Sequence, residues 1–498
     1  MPDLNTEQPQ GGLCTAPPPA GSVASGGLPG EVELALTETV EPIAGAHAGR
    51  ATYAALLASH AFIDIFPIFF TSLMIVFEER FALTGGQKVA IYMTTPIFSG
   101  SLQPFFAWLT DRFDTRLCGP IGLALGALCC GSIGFAQNFW QLIALQMVGV
   151  IGTGMYHPIM TAVAGRLGGQ IVRGRALAIG VFIAAGMLGQ SSGPIISTRI
   201  NKAFGMEHLA WLIAPALVLA IILHLLVGRV KHRHDGHADH HATLSTAERR
   251  ARWRLIGLLT VQNALRFTTN VALFNMFNEW ATRKIVAAPS LLADPTMRDA
   301  ALKAVAANKA LIVGKLSAAM TIGMGISVIL APRLVKAGRE KKPLIWLSMI
   351  GALFVAGIGL VGDAAVPGVR VLSQVGDTLL VSEPITLRQL LPVCACAACS
   401  AIGFFATFPI SASLAQRLMP AHTGVATSLM MGAGWAISAI SAPMAALLVH
   451  GSITRGTGSG EAWRIHMGFA VFALLLVLAG LLAAAMPSKL LHAVRNEQ

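Results

Sequence analysis

One short segment decides how this chain folds: it reads Ala107-Trp-Leu-Thr-Asp111-Arg112-Phe-Asp-Thr-Arg116 and separates two long apolar stretches. Charged side chains are costly inside a lipid bilayer. An Asp-Arg pair followed by a second Arg between apolar stretches therefore predicts a short cytoplasmic turn between two membrane helices. The remainder of the chain should then consist largely of further membrane-spanning helices.

The composition of the whole chain favours the same class of protein. The 498 residues are 54% hydrophobic and 12% charged, with a mean hydropathy of +0.65, whereas soluble domains carry about 25% charged residues. A membrane span needs about 20 predominantly apolar residues. Twelve windows of this kind are centred near residues 65, 98, 127, 152, 187, 219, 266, 322, 353, 402, 436 and 474. We predict an all-α membrane protein with twelve transmembrane helices in two six-helix bundles.

The longest polar interruption falls between the sixth and seventh windows and divides the chain. Lys and Arg are more frequent in the segments assigned to the cytoplasm, which predicts that both termini face the cytoplasm. The predicted parts are a disordered cytoplasmic tail (1–50), an N-terminal six-helix bundle (51–230), a His-rich cytoplasmic loop (231–253), a C-terminal six-helix bundle (254–488) and a cytoplasmic tail (489–498).

Several classes of function are excluded by the residues. The net charge of +12 is explained by cytoplasmic loops that Lys and Arg hold inside, and no basic soluble domain is left to bind nucleic acid. We find no Gly-x4-Gly-Lys-Ser/Thr loop for ATP and no Ser/His/Asp or His-x3-His arrangement in the predicted helices, so we expect no enzyme. Every cysteine except Cys14 lies in or at the end of a predicted helix, which argues against a disulfide framework.

We also expect no cofactor and no metal. The cysteines at 394, 396 and 399 lie in an apolar helix, where close packing of small residues explains them better than a metal site. The histidines between 232 and 241 are typical of a solvated linker, with cytoplasmic zinc or nickel binding as the alternative.

Three ionisable residues in the N-terminal bundle are candidates for carrying a proton. His60 and Asp64 are four residues apart and share one helix face. An ionisable side chain inside a span is a functional candidate by default, and His titrates near neutral pH. His157, which precedes Pro158, is the third candidate. The alternative for His60 and Asp64 is a structural hydrogen-bonded pair, and for His157 a role in packing.

A polar stripe in the seventh window is a candidate for the substrate path. Gln262, Arg266 and Asn270 are spaced by four residues, so they share one helix face. A lone Arg inside a span favours an anionic partner. We predict that the stripe lines the substrate path, with a structural ion pair between Arg266 and Asp64 as the alternative.

The fifth window contains Gly186-Met-Leu-Gly189-Gln-Ser-Ser-Gly193-Pro194. Glycines at this spacing let helices approach closely, and a proline bends the helix that contains it. Generic helix packing and a hinge both explain the pattern.

The 6+6 layout and the Asp-Arg turn resemble the major facilitator superfamily. The family pattern for the turn is Gly-x3-Asp-Arg/Lys-x-Gly-x-Arg/Lys. Asp111, Arg112 and Arg116 match it, while Ala107 and Asp114 replace the glycines. Within the superfamily, Ser59-His60-x3-Asp64, Gln103-Pro104 and Tyr156-His157-Pro158 resemble the fosmidomycin resistance subgroup. The chain departs from related patterns at Ile159, where that subgroup carries Glu, and at Gln146, where drug/proton antiporters carry Arg.

The resemblance implies roles for the matching residues. Asp111, Arg112 and Arg116 would hold the halves together in one conformational state, and Gly189, Gly193 and Pro194 match the motif of antiporter-type facilitators. Gln103 and Tyr156 become further candidates for the substrate path.

The expected activity is secondary active transport by alternating access: proton-coupled export of a small toxic compound, anionic or amphipathic. Its partners would be the small-molecule substrate, protons and the lipid bilayer, and the resemblance implies a bacterial inner membrane as its location. One alternative is an importer or facilitator of an organic anion or metabolite on the same fold. Another is a membrane sensor or scaffold that does not transport.

Overall fold

The computed structural model describes residues 46–110, 117–169, 171, 175–228, 245–335, 338–376, 378–419, 423–454 and 461–495. The predictions made for the tail before residue 46, for most of the His-rich loop, and for Asp111, Arg112 and Arg116 lie outside these residues.

Nineteen α-helices and three β-strands follow one another along the described residues. The helices are α1 Ala46–Ile65, α2 Phe69–Ser72, α3 Met74–Phe81, α4 Gly85–Thr110, α5 Cys118–Gly131, α6 Phe139–Gly169, α7 Arg175–Phe204, α8 Ile213–Val227, α9 Thr246–Thr282, α10 Pro289–Ala293, α11 Arg298–Leu330, α12 Lys341–Ala365, α13 Leu387–Phe404, α14 Thr407–Leu418, α15 Thr423–Ser428, α16 Gly434–Ile437, α17 Ser441–His450, α18 Ala462–Ala484 and α19 Ser488–Arg495. The strands are β1 Ile285–Ala287, β2 Arg370–Val375 and β3 Thr378–Val381.

The predicted helical membrane fold is confirmed. Within the described residues, ten helical segments are long and apolar enough to cross a membrane. The windows near residues 98 and 266 correspond to α4 and α9, which are not among the ten. Polar residues dilute their hydropathy, such as Gln103 in α4 and Arg266 in α9. The count of twelve spans therefore stays a prediction.

Large apolar side chains cover the outside of the bundle, as contact with lipid requires. Leu353 is 72% exposed, Leu474 61% and Leu225 58%. Each lies on a helix that qualifies as a membrane span. A water-soluble protein would bury side chains of this size far more completely.

A small β-sheet was not expected in an all-α chain. It contains three strands in the order β1-β2-β3. β1 pairs with β2 in parallel, with Ile285 opposite Arg370, and β2 pairs with β3 antiparallel, with Leu372 opposite Val381. Gly376 has a φ of +61°, which glycine adopts without strain and which permits the tight reversal between β2 and β3. We call the end of the bundle that carries this sheet the sheet end.

Three segments that were predicted as tail or loop are helical in part, because residues 46–50 belong to α1, residues 246–253 to α9 and residues 489–495 to α19. α9 begins at Thr246, where the Ser245 hydroxyl accepts a hydrogen bond from the Glu248 backbone N–H at 3.2 Å. Such a side-chain cap satisfies one of the free donors at a helix start. The last described residues also form a helix, α19, over Ser488–Arg495.

Small residues bring the two halves of the chain into contact. We call residues 46–228 the N-half and residues 245–495 the C-half, each as far as it is described. A Cβ atom added at Gly100 of α4 would lie 2.5 Å from the backbone nitrogen of Ala436 in α16. A Cβ atom at Gly314 of α11 would lie 2.9 Å from the carbonyl oxygen of Pro194 in α7. Only glycine allows backbones to approach this closely.

Candidate functional site

A cavity lies where the N-half and the C-half meet. Its walls come from helices of both halves and from the turns beside them. The N-half contributes Asp64, Pro67, Thr95, Ser99, Gln103, Thr153, His157, Met187 and Gln190. The C-half contributes Phe267, Met324, Phe405, Phe408, Met431 and Trp435.

The carboxylate of Asp64 lies between two imidazoles, and we call Asp64, His60 and His157 the Asp64 triad. Asp64 Oδ1 is 3.0 Å from His157 Nε2, and Asp64 Oδ2 is 3.5 Å from His60 Nε2. Asp64 and His60 are buried, and His157 is mostly buried. Asp64 and His157 also line the cavity, so the triad forms part of its wall.

Backbone carbonyls fix which nitrogen of each imidazole carries a hydrogen. His60 Nδ1 is 2.6 Å from the Phe182 carbonyl oxygen, and His157 Nδ1 is 2.8 Å from that of Thr153. A carbonyl oxygen only accepts, so each Nδ1–H must donate. In the neutral ring, the lone pair of Nε2 then faces the carboxylate. Two acceptors at 3.0 Å need a proton between them, so this geometry fits a triad that holds at least one extra proton.

Three helices bring the triad together. The four-residue spacing on α1 places His60 and Asp64 on one face, as predicted. α6 supplies His157, 93 residues along the chain from Asp64. α7 makes room: a Cβ atom at Gly186 would lie 2.5 Å from His60 Nε2 and 2.6 Å from Asp64 Oδ2.

The same α7 glycines that the sequence singled out pack against α1. A Cβ atom at Gly189 would lie 1.8 Å from the Ala61 carbonyl oxygen, and one at Gly193 would lie 2.8 Å from the Ile65 carbonyl oxygen. Pro194 follows within the same helix. The motif therefore lies where α7 and α1 touch, one turn from the triad.

The triad spacing would also admit a metal ion. The possible ligand atoms of the three residues lie within 4.8 Å of one another, the only such group found among the described residues. Imidazoles whose second nitrogen donates to a carbonyl are oriented in the way that metal ligands usually are.

Two further candidates from the sequence lie on different sides of the triad. Gln103 lines the cavity, and its amide nitrogen is 3.5 Å from the Ser99 hydroxyl. Tyr156 is fully buried behind the triad, where its hydroxyl is 2.6 Å from the Ser59 hydroxyl. Its ring centroid is 5.9 Å from that of His60. Tyr156 thus packs against His60 on the side away from the cavity, and it is not among the described residues that line the cavity.

The stripe of Gln262, Arg266 and Asn270 points into the C-half. The Arg266 guanidinium donates to the Ser348 hydroxyl at 3.2 Å and to the Leu344 carbonyl at 3.4 Å. Asn270 donates to the Met324 sulfur at 3.3 Å. None of the stripe residues is among the described residues that line the cavity. Within the described part of the chain, no carboxylate oxygen is recorded within 4 Å of Arg266, so its alternative pairing with Asp64 is not formed here.

Sequence reasoning missed the aromatic wall of the cavity. The ring centroids of Phe267 and Trp435 are 5.4 Å apart, and Phe408 lies 6.0 Å from both Phe267 and Phe405. A Phe or Trp in a membrane helix faces lipid as readily as a cavity, so its position in the sequence does not predict which of the two its side chain contacts. The glycine pair Gly432-Ala-Gly434 was the available signal, because it falls at a π-helical turn over Leu429–Ala433 that carries Met431, and such turns often occur at functional sites.

Comparison with known proteins identifies relatives of the chain. The family model for the Major Facilitator Superfamily matches residues 55–443. The fosmidomycin resistance protein of Escherichia coli (strain K12) is 29% identical over 199 residues, which cover 38% of this chain and 48% of that protein. Multidrug resistance protein MdtG of Serratia proteamaculans (strain 568) is 27% identical over 161 residues, which cover 30% of this chain and 37% of that protein. The chain thus matches less than half the length of these two curated relatives.

Solved transporters share the fold at low sequence identity. A POT family transporter in complex with a thioalcohol conjugated peptide superposes with a TM-score of 0.61 at 15% identity, covering 88% of this chain and 96% of that one. The nucleoside transporter NupG superposes with a TM-score of 0.56 at 12% identity, covering 88% of this chain and 98% of that one.

Proposed function

The chain belongs to the Major Facilitator Superfamily of membrane transporters, and on that premise we propose that it exports a small toxic compound in exchange for protons. Transport proceeds by alternating access, in which the cavity between the halves opens to one side of the membrane at a time. Two relatives are named for resistance to fosmidomycin and to multiple drugs, which supports export. The protein acts in a bacterial inner membrane with both termini in the cytoplasm.

One observation carries the proposal: an Asp64 carboxylate in the cavity wall, 3.0 Å from an imidazole nitrogen that presents a lone pair. A proton between the two groups relieves the repulsion, and a substrate that enters the cavity reaches the same atoms. Substrate and proton therefore compete for one site, as exchange requires. His60, at 3.5 Å on the other carboxylate oxygen, offers a second proton position.

The available driving force is sufficient for resistance. One charge that crosses a potential of 100 mV releases about 2.3 kcal/mol. Since each tenfold concentration ratio corresponds to about 1.4 kcal/mol, exchange that moves one net charge sustains a gradient of about fortyfold.

The residues for the conformational change lie beside the coupling site. Gly189, Gly193 and Pro194 form the contact of α7 with α1, so a change at Asp64 acts directly on this pair of helices. We assign the hinge to this contact. Asp111, Arg112 and Arg116 belong to the same proposal as the charged turn that stabilises one of the two states.

Proton movement in inverted membrane vesicles tests the proposal. A proton gradient is imposed, and a panel of compounds that includes fosmidomycin is added while internal pH is recorded. We expect a substrate to release protons from vesicles that contain the wild-type protein, and Asp64→Asn to abolish the release. Asp294→Asn makes the same chemical change at a half-buried loop position that is not among the described residues lining the cavity and should leave the release unchanged, as should a chelator of divalent metals.

Each other outcome overturns a defined part of the proposal. Release that persists in Asp64→Asn removes Asp64 from the proton path and makes His157→Gln the next variant. Release that a chelator abolishes would assign the triad to a metal ion. No proton movement with any compound, in vesicles shown to contain folded protein, overturns proton-coupled export. Compound that leaves inverted vesicles together with protons would identify an importer.

A further inference from the structure

The cavity also indicates which class of compound it accepts. We propose that the substrate is an aromatic cation: a planar apolar ring system that carries a protonated nitrogen with N–H donors, such as an ammonium or amidinium group. This inference rests on the proposed function, because it names the cargo of the same site. It differs from the anionic substrate that the arginine stripe suggested.

The two walls of the cavity have opposite chemistry. Every charged side chain and every side-chain hydrogen-bond acceptor oxygen or nitrogen that lines it, including Asp64, His157 and Gln190, comes from the N-half, and the one hydrogen-bonding group of the other wall is the indole N–H donor of Trp435. The C-half contributes only aromatic rings and thioethers. A ligand that touches both walls needs one polar face and one apolar face.

The polar wall favours positive charge. Asp64 and His157 are the ionisable residues among those that line the cavity, and no Lys or Arg is among them within the described residues. The cationic candidate from the sequence, Arg266, is fully buried and donates to Ser348 and Leu344 instead. Once the triad has lost its proton, an anion would therefore meet a carboxylate with no Lys or Arg in the described lining to compensate it.

The hydrogen-bond geometry favours a ligand with donors. Once the proton leaves, Asp64 Oδ1 and His157 Nε2 are two acceptors 3.0 Å apart. A protonated nitrogen can donate to both, so it replaces one proton in charge and in hydrogen bonding. Exchange of two protons, the second at His60, for this cation then moves the one net charge on which the driving force depends. The same wall contains a third acceptor, because the amide oxygen of Gln190 is buried and has no hydrogen-bond partner among the described residues.

The apolar wall favours a flat ring. The ring centroid of Phe267 lies 5.4 Å from that of Trp435 and 6.0 Å from that of Phe408. Both distances are within the range at which aromatic groups contact one another. Met187, Met324 and Met431 complete the lining with flexible thioethers, which adapt to ligands of different outline. Aromatic ligands are therefore selected by area and not by one fixed shape.

Equilibrium binding to the purified full-length protein tests the inference without any proton gradient. The probes share a naphthalene ring: 1-naphthylmethylammonium (cation with donors), its N,N,N-trimethyl analogue (cation without N–H donors), 1-naphthylmethanol (neutral) and 1-naphthoate (anion). We expect the ammonium to bind at least about tenfold more tightly than the alcohol, since hydrogen bonds to charged groups contribute that much. The trimethyl analogue should bind more weakly than the ammonium, and the carboxylate weakest of all.

Variants separate the two walls. Asp64→Asn should reduce ammonium affinity to that of the alcohol and leave the alcohol unchanged. Trp435→Ala should weaken ammonium and alcohol by the same factor, whereas Trp463→Ala, at an exposed position on α18, should change neither. Circular dichroism and thermal unfolding establish that each variant is folded.

The results distinguish this inference from the proposed function. Tighter binding of naphthoate than of the ammonium, or equal loss of both on Asp64→Asn, overturns the cation class even if vesicles release protons. Asp64-dependent ammonium binding without proton release in vesicles overturns proton coupling and leaves the cation class standing.

Discussion

A buried guanidinium without a carboxylate beside it is unfavourable, and Arg266 is in this position among the described residues. It is fully buried, and its Nε has no hydrogen-bond partner there. Its remaining contacts are with the neutral groups of Asn263, Leu344 and Ser348. The Ser348 hydroxyl also donates to the Leu344 carbonyl at 2.8 Å, so those two groups are satisfied without Arg266.

We predict that Arg266→Met leaves ammonium affinity within about twofold and does not lower thermal stability, because replacing a buried charge by an apolar side chain is often neutral or stabilising. Binding of 1-naphthylmethylammonium and thermal unfolding measure the two effects, with Trp435→Ala as the variant that must lose affinity. A tenfold loss of affinity in Arg266→Met would return the arginine to the substrate path that its sequence spacing predicted.

At the residue scale, spacing predicts which side chains share a face but not where the face points. His60 and Asp64 were predicted together and lie together. Gln262, Arg266 and Asn270 also share a face, yet that face is turned into the C-half. In a membrane both the lipid side and the interior are apolar, so the helical rotation depends on packing partners that one helix does not encode. His157 required the fold itself, because α6 must cross α1.

At the element scale, the contact of α7 with α1 links packing to chemistry. Gly186, Gly189 and Gly193 all face α1, and Gly186 lies directly against the triad. Gly180 belongs to the same helix, but a Cβ atom there would meet nothing within 4 Å. The helix therefore contains a critical glycine and a matched dispensable one.

We predict that Gly186→Ala destabilises the protein by about 1–3 kcal/mol, the usual effect of overpacking, and abolishes substrate-evoked proton release by displacing His60 or Asp64. Gly180→Ala should retain proton release and be as stable as wild type or more so, since alanine is favoured over glycine in a helix by about 0.5–1 kcal/mol. Normal proton release in Gly186→Ala would show that the triad tolerates displacement and is not the coupling site.

Sequence patterns predicted some elements and missed others for physical reasons. The glycine spacing in α7 favoured close packing, and the structure places these glycines against α1. The strands β1 to β3 were missed because they are three to six residues long and because β1 pairs with β2, which is distant in sequence. Gly376 favours a tight turn between β2 and β3, but a single glycine in a loop does not predict a strand pair.

At the scale of the whole molecule, polar contacts join the two halves at the sheet end. Asn278 of α9 donates to the Tyr92 hydroxyl at 2.8 Å and to the Thr71 carbonyl at 3.0 Å, and both partners belong to the N-half. Lys88 lies 3.3 Å from Glu78 in its own half and 3.9 Å from Glu279 in the other. These contacts must separate if the cavity is to open at this end.

We predict that Tyr92→Phe shifts the population toward states that are open at the sheet end, because it removes one buried hydrogen bond between the halves, a contribution of about 0.5–1.5 kcal/mol. Spin labels at the exposed positions Gln137 and Ala300, one in each half, should show more of the longer distances by double electron–electron resonance. Tyr53→Phe removes a 2.7 Å hydrogen bond to the Ala178 carbonyl within the N-half and should leave the distances unchanged. Identical shifts in both variants would contradict a gate at Tyr92.

The general architecture was the part most accessible from sequence. Apolar windows and the polar break at residues 231–253 predicted a helical membrane protein in two halves, and the helical membrane fold is confirmed. The two predicted windows that are not apolar enough to count as spans, α4 and α9, both line the cavity, through Gln103 and Phe267. Residues that serve a polar cavity reduce the hydropathy by which a span is recognised.

The separation of the cavity walls between the two halves affects how such a protein can diversify. Mutations in the stretch from Phe267 to Trp435 reshape the apolar wall without changing Asp64, His157 or any other polar lining residue. For the exporter proposed above, a lineage under pressure from a new toxin can therefore alter which compound is bound while the proposed proton site is inherited unchanged. Exchange of 3′ gene segments between relatives would have the same effect in a single recombination event.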